Sequence, residues 1–322
     1  MADARNQTDV SEFILLGFSD HPQVQLILFV AFASAYAAAL LGNVSIITVI
    51  CSQPGLHTPM YFFLVNLSLL DIGCVTSTVP QMLKNLLAQK KAISFQGCLA
   101  QMYFFSAFLA TELLLLTGMA FDRYVAICHP LRYSLVMSWK TCCRLAVGIW
   151  ASGFLISLPH TLSLLHLSFC GPNIINHFFC ELPSLLQLSC SNTSYNQTLA
   201  LVTGVFLGIG CFLLTLLSYV YIVSSVLKIR SAAGKRKAFS TCSSHVMVVT
   251  LFYSTVIYTY VQPPSAYLDR DKAVAALYTM VTPLVNPLIY SLRNKELKAA
   301  IKSSLTLLFC RRNNPISLSL SS

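Results

Sequence analysis

Charge is what this sequence most lacks. Of its 322 residues only 10% are Asp, Glu, Lys or Arg, while 56% are hydrophobic; an ordinary soluble domain carries about 25% charged residues. Between Asp20 and Asp71 there is no charged residue at all, and further charge-free runs cover Ala92–Thr111, Leu145–Cys180, Leu182–Leu227, Ala238–Leu268 and Ala273–Leu292. Such a chain cannot coat a water-soluble surface of this size, which excludes soluble enzymes and nucleic-acid binders despite a formal net charge of +10. A nucleotide-binding loop, a nucleophile constellation and the internal repeat common in transporters are missing too, and the chain is not read as an enzyme. What remains is a polytopic membrane protein, because each run reaches the roughly 18–20 apolar residues that cross a bilayer.

Seven spans are expected: Val24–Ile50, Met60–Leu86, Cys98–Ile127, Thr141–Leu162, Asn196–Ile229, Lys237–Val261 and Lys272–Leu292. The polar stretch between Glu181 and Asn196, with Pro183 and the segment Ser189 to Ser194, reads as loop. After the last span, Arg293, Lys295, Lys298 and Lys302 interleave with Leu297, Ile301, Leu305 and Leu308, the pattern of an amphipathic helix lying on the membrane. The fold class is therefore an all-α seven-helix membrane bundle with a short amphipathic helix. Its divisions are an extracellular segment 1–23, a transmembrane domain 24–292, and a cytoplasmic helix and tail 293–322. No cleavable signal peptide stands out in residues 1–20, so the first span is expected to act as its own signal anchor.

The basic residues set the expected orientation. With the amino terminus outside, fifteen Lys and Arg fall on the inner face and six on the outer, whereas the acids favour the outer face seven to two. Positive-inside then places the carboxyl terminus in the cytoplasm, and the basic surface faces anionic lipid and docked proteins with no need of nucleic acid. Sequons at Asn6, Asn192 and Asn196 would lie outside as glycosylation acceptors. Four cysteines, Cys98, Cys170, Cys180 and Cys190, are assigned to the oxidising side, an even count that suggests two disulfides with three connectivities open.

Asp71 and Glu112 lie well inside their spans, where an ionisable side chain is costly and must face the bundle interior. Asn43, Asn66, Asn286 and Ser291 add neutral polar groups, and one cluster joining them would suit water or a cation such as Na⁺; no other cofactor is expected. At the inner end of the third span stands Asp122-Arg123-Tyr124, where Asp122 is positioned to pair with the deep Arg123. In the seventh span, Pro283-Leu284-Val285-Asn286-Pro287-Leu288-Ile289-Tyr290 carries a proline that removes a backbone bond in mid-membrane, a built-in bend. His177-Phe178-Phe179-Cys180-Glu181 sets His, Cys and Glu close enough to hold Cu or Zn, but a disulfide at Cys180 would take away the softest donor.

Seven spans with Asp122-Arg123-Tyr124 and Asn286-Pro287-Leu288-Ile289-Tyr290 resemble a rhodopsin-like (class A) G-protein-coupled receptor. The strings Leu56 through Leu64, Met119 through Pro130, Lys237 through His245 and Pro283 through Asn294 narrow the resemblance to the olfactory receptors, over about the whole chain. Departures are small: Phe121 where the family usually has Tyr, Val65 where Ser is usual, and Ser254 where Gly is usual. The resemblance implies Cys98–Cys180 and Cys170–Cys190 disulfides, and a switch built from Asp122, Arg123, Tyr124, Tyr219, Asn286, Pro287 and Tyr290. It also implies a ligand pocket in the outer half of the bundle. Phe105, Ser106, Leu109 and Ala110 share one face of the third helix; Thr203 and Leu207 come from the fifth, Tyr253, Val256, Ile257 and Tyr260 from the sixth, and Thr279 from the seventh. That set is apolar with a few hydroxyls and no fixed charge, suited to a small neutral volatile. Phe105 stands where aminergic receptors carry an Asp, and no Lys occurs between Lys272 and Lys295 to form a retinal Schiff base. The partner implied is a heterotrimeric G protein of the stimulatory olfactory type, which raises cAMP. A class A receptor for a non-odorant metabolite or lipid is the alternative.

Overall fold

A computed structural model describes residues 10–170, 172–261, 269–294 and 296–303. Seven long helices form the bundle: α1 Pro22–Ser52, α2 Pro59–Leu87, α3 Phe95–Cys128, α4 Trp139–Leu164, α5 Ser194–Lys228, α6 Ala232–Val261 and α7 spanning 269–293. Their ends differ from the expected ones by at most five residues, the largest shift being at the start of α6. The helices begin where local chemistry favours it. Pro22 and Pro59 occupy first-turn positions, where their missing N–H costs nothing. Ser94 and Ser138 cap α3 and α4 by accepting the N–H groups of Gly97 and Thr141.

Among the described residues six helices are long and apolar enough to cross a membrane; α6 completes the bundle but carries Lys235, Arg236 and Lys237 in its opening turns. Leu26, Ile27, Val30, Leu213 and Leu217 are exposed on α1 and α5, as expected where the solvent is lipid and not water. Helix α3 packs on α2, α4, α5 and α6. Close approach depends on glycine at two crossings. A Cβ on Gly153 of α4 would lie 2.0 Å from Thr111 Oγ1 of α3, and one on Gly42 of α1 would lie 3.2 Å from the Pro287 ring of α7.

Both bundle ends differ in build. At one end a small three-stranded sheet, order β2-β1-β3, joins the amino-terminal segment (β1, Glu12–Leu15) to β2 (Ala92–Ser94) antiparallel and to β3 (Ile174–Ile175) parallel. Phe13 and Leu15 point inward onto a second core with Ile93, Phe169, Ile175 and Leu185. The chain between Glu181 and Asn196, expected as loop throughout, instead carries a helix over Leu182–Leu188, opened by Pro183. At the other end, residues 296–303 are helical, with Leu297 and Ala300 buried and Lys298 and Lys302 exposed. That is the amphipathic pattern expected there; residues 304–322, with Leu305 and Leu308, lie outside the described residues.

Candidate functional site

The sheet end is bolted covalently. Cys98 at the start of α3 is bonded to Cys180, and Cys170 to Cys190, with Cα–Cα distances of 5.4 and 5.7 Å. Gln101 of α3 strengthens the first junction, accepting the Cys180 N–H at 2.8 Å and donating to the Ser77 carbonyl of α2 at 3.0 Å. The bonded segment lays Phe178 and Phe179 over the bundle. Phe105 meets Phe179 edge-on at 5.1 Å and Tyr278 of α7 at 5.9 Å. Leu109, Tyr253 and Val256 belong to the same apolar cluster, with Leu207 packed at its side. Ser106 is partly buried and Ala110 buried.

Not every expected pocket residue faces this cluster. Thr279 is buried, but its hydroxyl donates to the Ala275 carbonyl one turn back. Thr203 is 3.1 Å from a ring nitrogen of His160, so its hydroxyl is spent on α4. Just after Thr203 the fifth helix makes a π-helical turn over Gly204–Ile209, and a second such turn covers Leu277–Val281; the wider turn rotates the side chains that follow. The side chains of Ile257 and Tyr260 lie outside the described residues, as does Asn6. Asn192 is placed in the loop, where its side-chain oxygen accepts the Ser194 N–H. Asn196 is a correction: it is buried and its Nδ2 donates to Ser163 at 2.7 Å, so the folded chain has no room for a glycan on that nitrogen.

Two acid-base groups border the cluster that the sequence reading did not place there. Glu181 is buried; Ser184 donates to its Oε1 at 3.2 Å and Tyr278 lies 3.5 Å from its Oε2. The expectation of a pocket without fixed charge therefore needs correcting at its rim. His177, 1% exposed, is stacked against Phe178 and has no hydrogen-bond partner on either ring nitrogen. Burial, with the Lys272 ammonium nearby, pushes its pKa down to about 3, so the ring is neutral. Its Nε2 is 3.7 Å from Glu181 Oε1, beyond hydrogen-bond reach. With Cys180 held in a disulfide, the set His177, Cys180 and Glu181 loses its thiolate donor.

In mid-bundle, Asn286 Nδ2 donates to both oxygens of Asp71, at 3.0 and 3.2 Å, and Asn43 Nδ2 to the Ala39 and Pro283 carbonyls, each at 3.0 Å. Asn43 Oδ1, Asn286 Oδ1 and Glu112 Oε1 are buried without a partner. Asn66 and Ser291 stand apart from this group. Asn66 accepts the Trp150 indole N–H of α4 at 3.0 Å, and Ser291 turns its hydroxyl to the Leu288 carbonyl.

At the far end Arg123 is buried and its Nε has no partner. Asp122 does not pair with it: among the described residues no ion pair joins them, and Asp122 Oδ1 accepts the Tyr133 hydroxyl at 2.8 Å. Successive residues on a helix point about 100° apart and do not face each other, so adjacency in sequence misled. Tyr124 reaches His129 at 3.0 Å. Tyr219 of α5 lies 2.6 Å from His245 Nδ1 of α6, and His245 Nε2 lies 3.2 Å from the Leu116 carbonyl of α3. One imidazole thus ties three helices. Sequence reasoning passed over His245, quoting it only as the end of a string, although a lone histidine in an apolar span is a signal. Tyr290 is buried with its hydroxyl unpaired, and Pro287 packs on Gly42 as described.

The family model described as olfactory receptor matches residues 32–307. Olfactory receptor 13A1 of Homo sapiens is 51% identical over 298 residues, covering 92% of this chain and 91% of that protein. Olfactory receptor 5AP2 of Mus musculus is 47% identical over 302 residues, covering 94% and 95%. A seven-helix membrane bundle, matched across most of its length by these relatives and by the family model, belongs to the olfactory receptor family.

Proposed function

We propose that this chain binds a small, largely apolar volatile in the disulfide-end half of the bundle and activates a stimulatory, olfactory-type G protein to raise cAMP, with its amino terminus outside the cell. The observation that carries the reading is the apolar cluster of Phe105, Leu109, Tyr253 and Val256, closed by Phe179 on a disulfide-bonded segment. A ligand seated there presses on α3, α6 and α7 together and shifts an existing equilibrium between two packings. In the resting packing the Tyr219–His245–Leu116 tie holds α6 against α3. When α6 swings away the tie breaks, and Arg123, whose Nε lacks a partner, offers its guanidinium fork to the G protein.

The mid-bundle acceptors suit a hard cation such as Na⁺. Asp71, which accepts from Asn286, and the unpaired oxygens of Glu112, Asn286 and Asn43 would supply an oxygen-only donor set. Asp71 and Glu112 would hold the ion, whose charge would offset theirs. The test is cAMP in cells expressing the chain with the olfactory G protein, across a panel of neutral volatiles, beside Arg123→Ala matched for surface expression. A dose-dependent rise that the variant loses is expected; a response retained in full by the variant contradicts the role of Arg123.

A further inference from the structure

A groove of about 680 Å³ opens on the outer wall of the bundle between α2 and α3, away from the ligand cluster. Its two walls are single helical faces. On α2, Gly73, Thr76, Pro80 and Lys84 follow one another at three- or four-residue intervals; on α3, Gly97, Ala100, Phe104 and Phe108 do the same. Small residues hollow the upper walls, and the Phe108 ring lies across Gly73, where a Cβ would come within 2.7 Å of it, to floor the lower end. The polar groups along the walls are already used. Gln81 donates to Asn85 and to the Ala92 carbonyl, and Gln101 bridges Ser77 and Cys180. The groove is thus preformed, with one wall fixed through Gln101 to the disulfide-bonded segment. Lys84, exposed and with no ion pair among the described residues, is the cationic group at its rim.

Length and charge together define the occupant. Lys84 is one turn from the end of α2, the level of lipid headgroups, and the eleven residues down to Gly73 span about 16 Å at about 1.5 Å per residue. Half of a hydrocarbon core of about 30 Å is about 15 Å. A channel that runs from headgroup level to the bilayer midplane, apolar below and cationic at the top, is complementary to one acyl chain bearing a phosphate. A sterol has no anion for Lys84.

We propose that this groove is a built site for a single phospholipid of the leaflet on the disulfide side, its phosphate on Lys84 and one acyl chain laid between Ala100 and Thr76 down to Phe108. The proposal requires only that α2 crosses the bilayer, whichever face is outside, so it stands or falls separately from the receptor reading.

The experiment uses the full chain in nanodiscs of phosphatidylcholine carrying a diazirine midway along one acyl chain, with the cross-linked peptides identified by mass spectrometry. Labelling of the 97–108 segment is expected to exceed at least five-fold that of the exposed face of α5 around Leu213 and Leu217. In Ala100→Trp, which fills the groove, it should fall to the α5 level, and in Lys84→Gln by about half. Should the tryptophan variant fail to fold, Thr76→Phe on the opposite wall gives the same readout. Labelling in the native chain equal to that of α5 would mean annular lipid only and overturn the proposal. So would labelling unchanged in both filled variants.

Discussion

The two ends of this bundle are held by different kinds of bond. At the disulfide end, two covalent bridges, a three-stranded sheet and the Gln101 double hydrogen bond fasten the amino-terminal segment and the 165–193 loop to α2 and α3. At the Arg123 end, the ring of His245 ties α6 to α3 and α5, and α3 meets α5 again only through Cys128 with Ser225 and Tyr221 and through the Tyr124–Tyr221 ring contact among the hydrogen bonds and ring contacts of the described residues nearest that end, while Arg123 Nε and the Tyr290 hydroxyl are buried without partners. Covalent closure leaves one arrangement. A few hydrogen bonds worth about 1 kcal/mol each, beside unpaired polar groups, leave two arrangements close in energy. A receptor needs both: a shaped half to read a ligand and a half that a few kcal/mol can tip.

The contrast can be broken most forcefully at Cys98. Its bridge closes a loop with a sequence separation of 82, against 20 for the Cys170 bridge. Chain entropy puts the first at about 4–5 kcal/mol and the second at about 3. Cys98→Ser should therefore abolish most surface expression and lower thermal stability more than Cys190→Ser, measured on the same purified receptor. Gly153→Ala comes next, because its Cβ would strike Thr111; overpacking costs about 1–3 kcal/mol and should show as a fall in Tm. Gly148→Ala, with nothing within 4 Å of the added carbon, should leave Tm nearly unmoved.

Acid tests the disulfide end through His177. The folded pKa, about 3, lies below the usual value near 6.5, so the folded state resists protonation more than the unfolded one. The contribution of the neutral ring is complete above about pH 6.5 and declines as pH falls toward 3, at up to about 1.4 kcal/mol per unit. Wild-type Tm should drop between pH 6.5 and 5 by more than that of His177→Phe; parallel curves would remove His177 from the account. The smallest effect sharpens the other end. His245→Leu loosens the tie, and about 1 kcal/mol of it should raise ligand-free cAMP about five-fold, while leaving the loops at the disulfide end as protected as before.

Helices were legible because lipid imposes a simple rule: long charge-free runs must span, and each run of this chain carries one of the long helices. The glycine crossings and π turns were not, since they depend on which helix lies opposite. Thr203 shows the cost: its hydroxyl is taken by His160 of α4, a neighbour that its position on the fifth helix does not reveal. The sheet escaped notice because Glu12–Leu15 is too short and too uniformly apolar to show strand alternation, and its partners are about 80 and 160 positions away. Asp122 and Arg123 looked like a pair through adjacency, whereas Tyr133, eleven residues on, is the partner that folding supplies.

Hydrogen exchange followed by mass spectrometry, on the purified native chain and on His245→Leu, tests the central claim most directly. The account predicts that amides of 219–228 and 232–245 exchange at least five-fold faster in the variant. Those of 12–15, 92–98 and 174–180 should change less than two-fold. Faster exchange spread evenly over both ends, or confined to the sheet and the disulfide-bonded segment, would contradict a fixed reading half joined to a bistable signalling half.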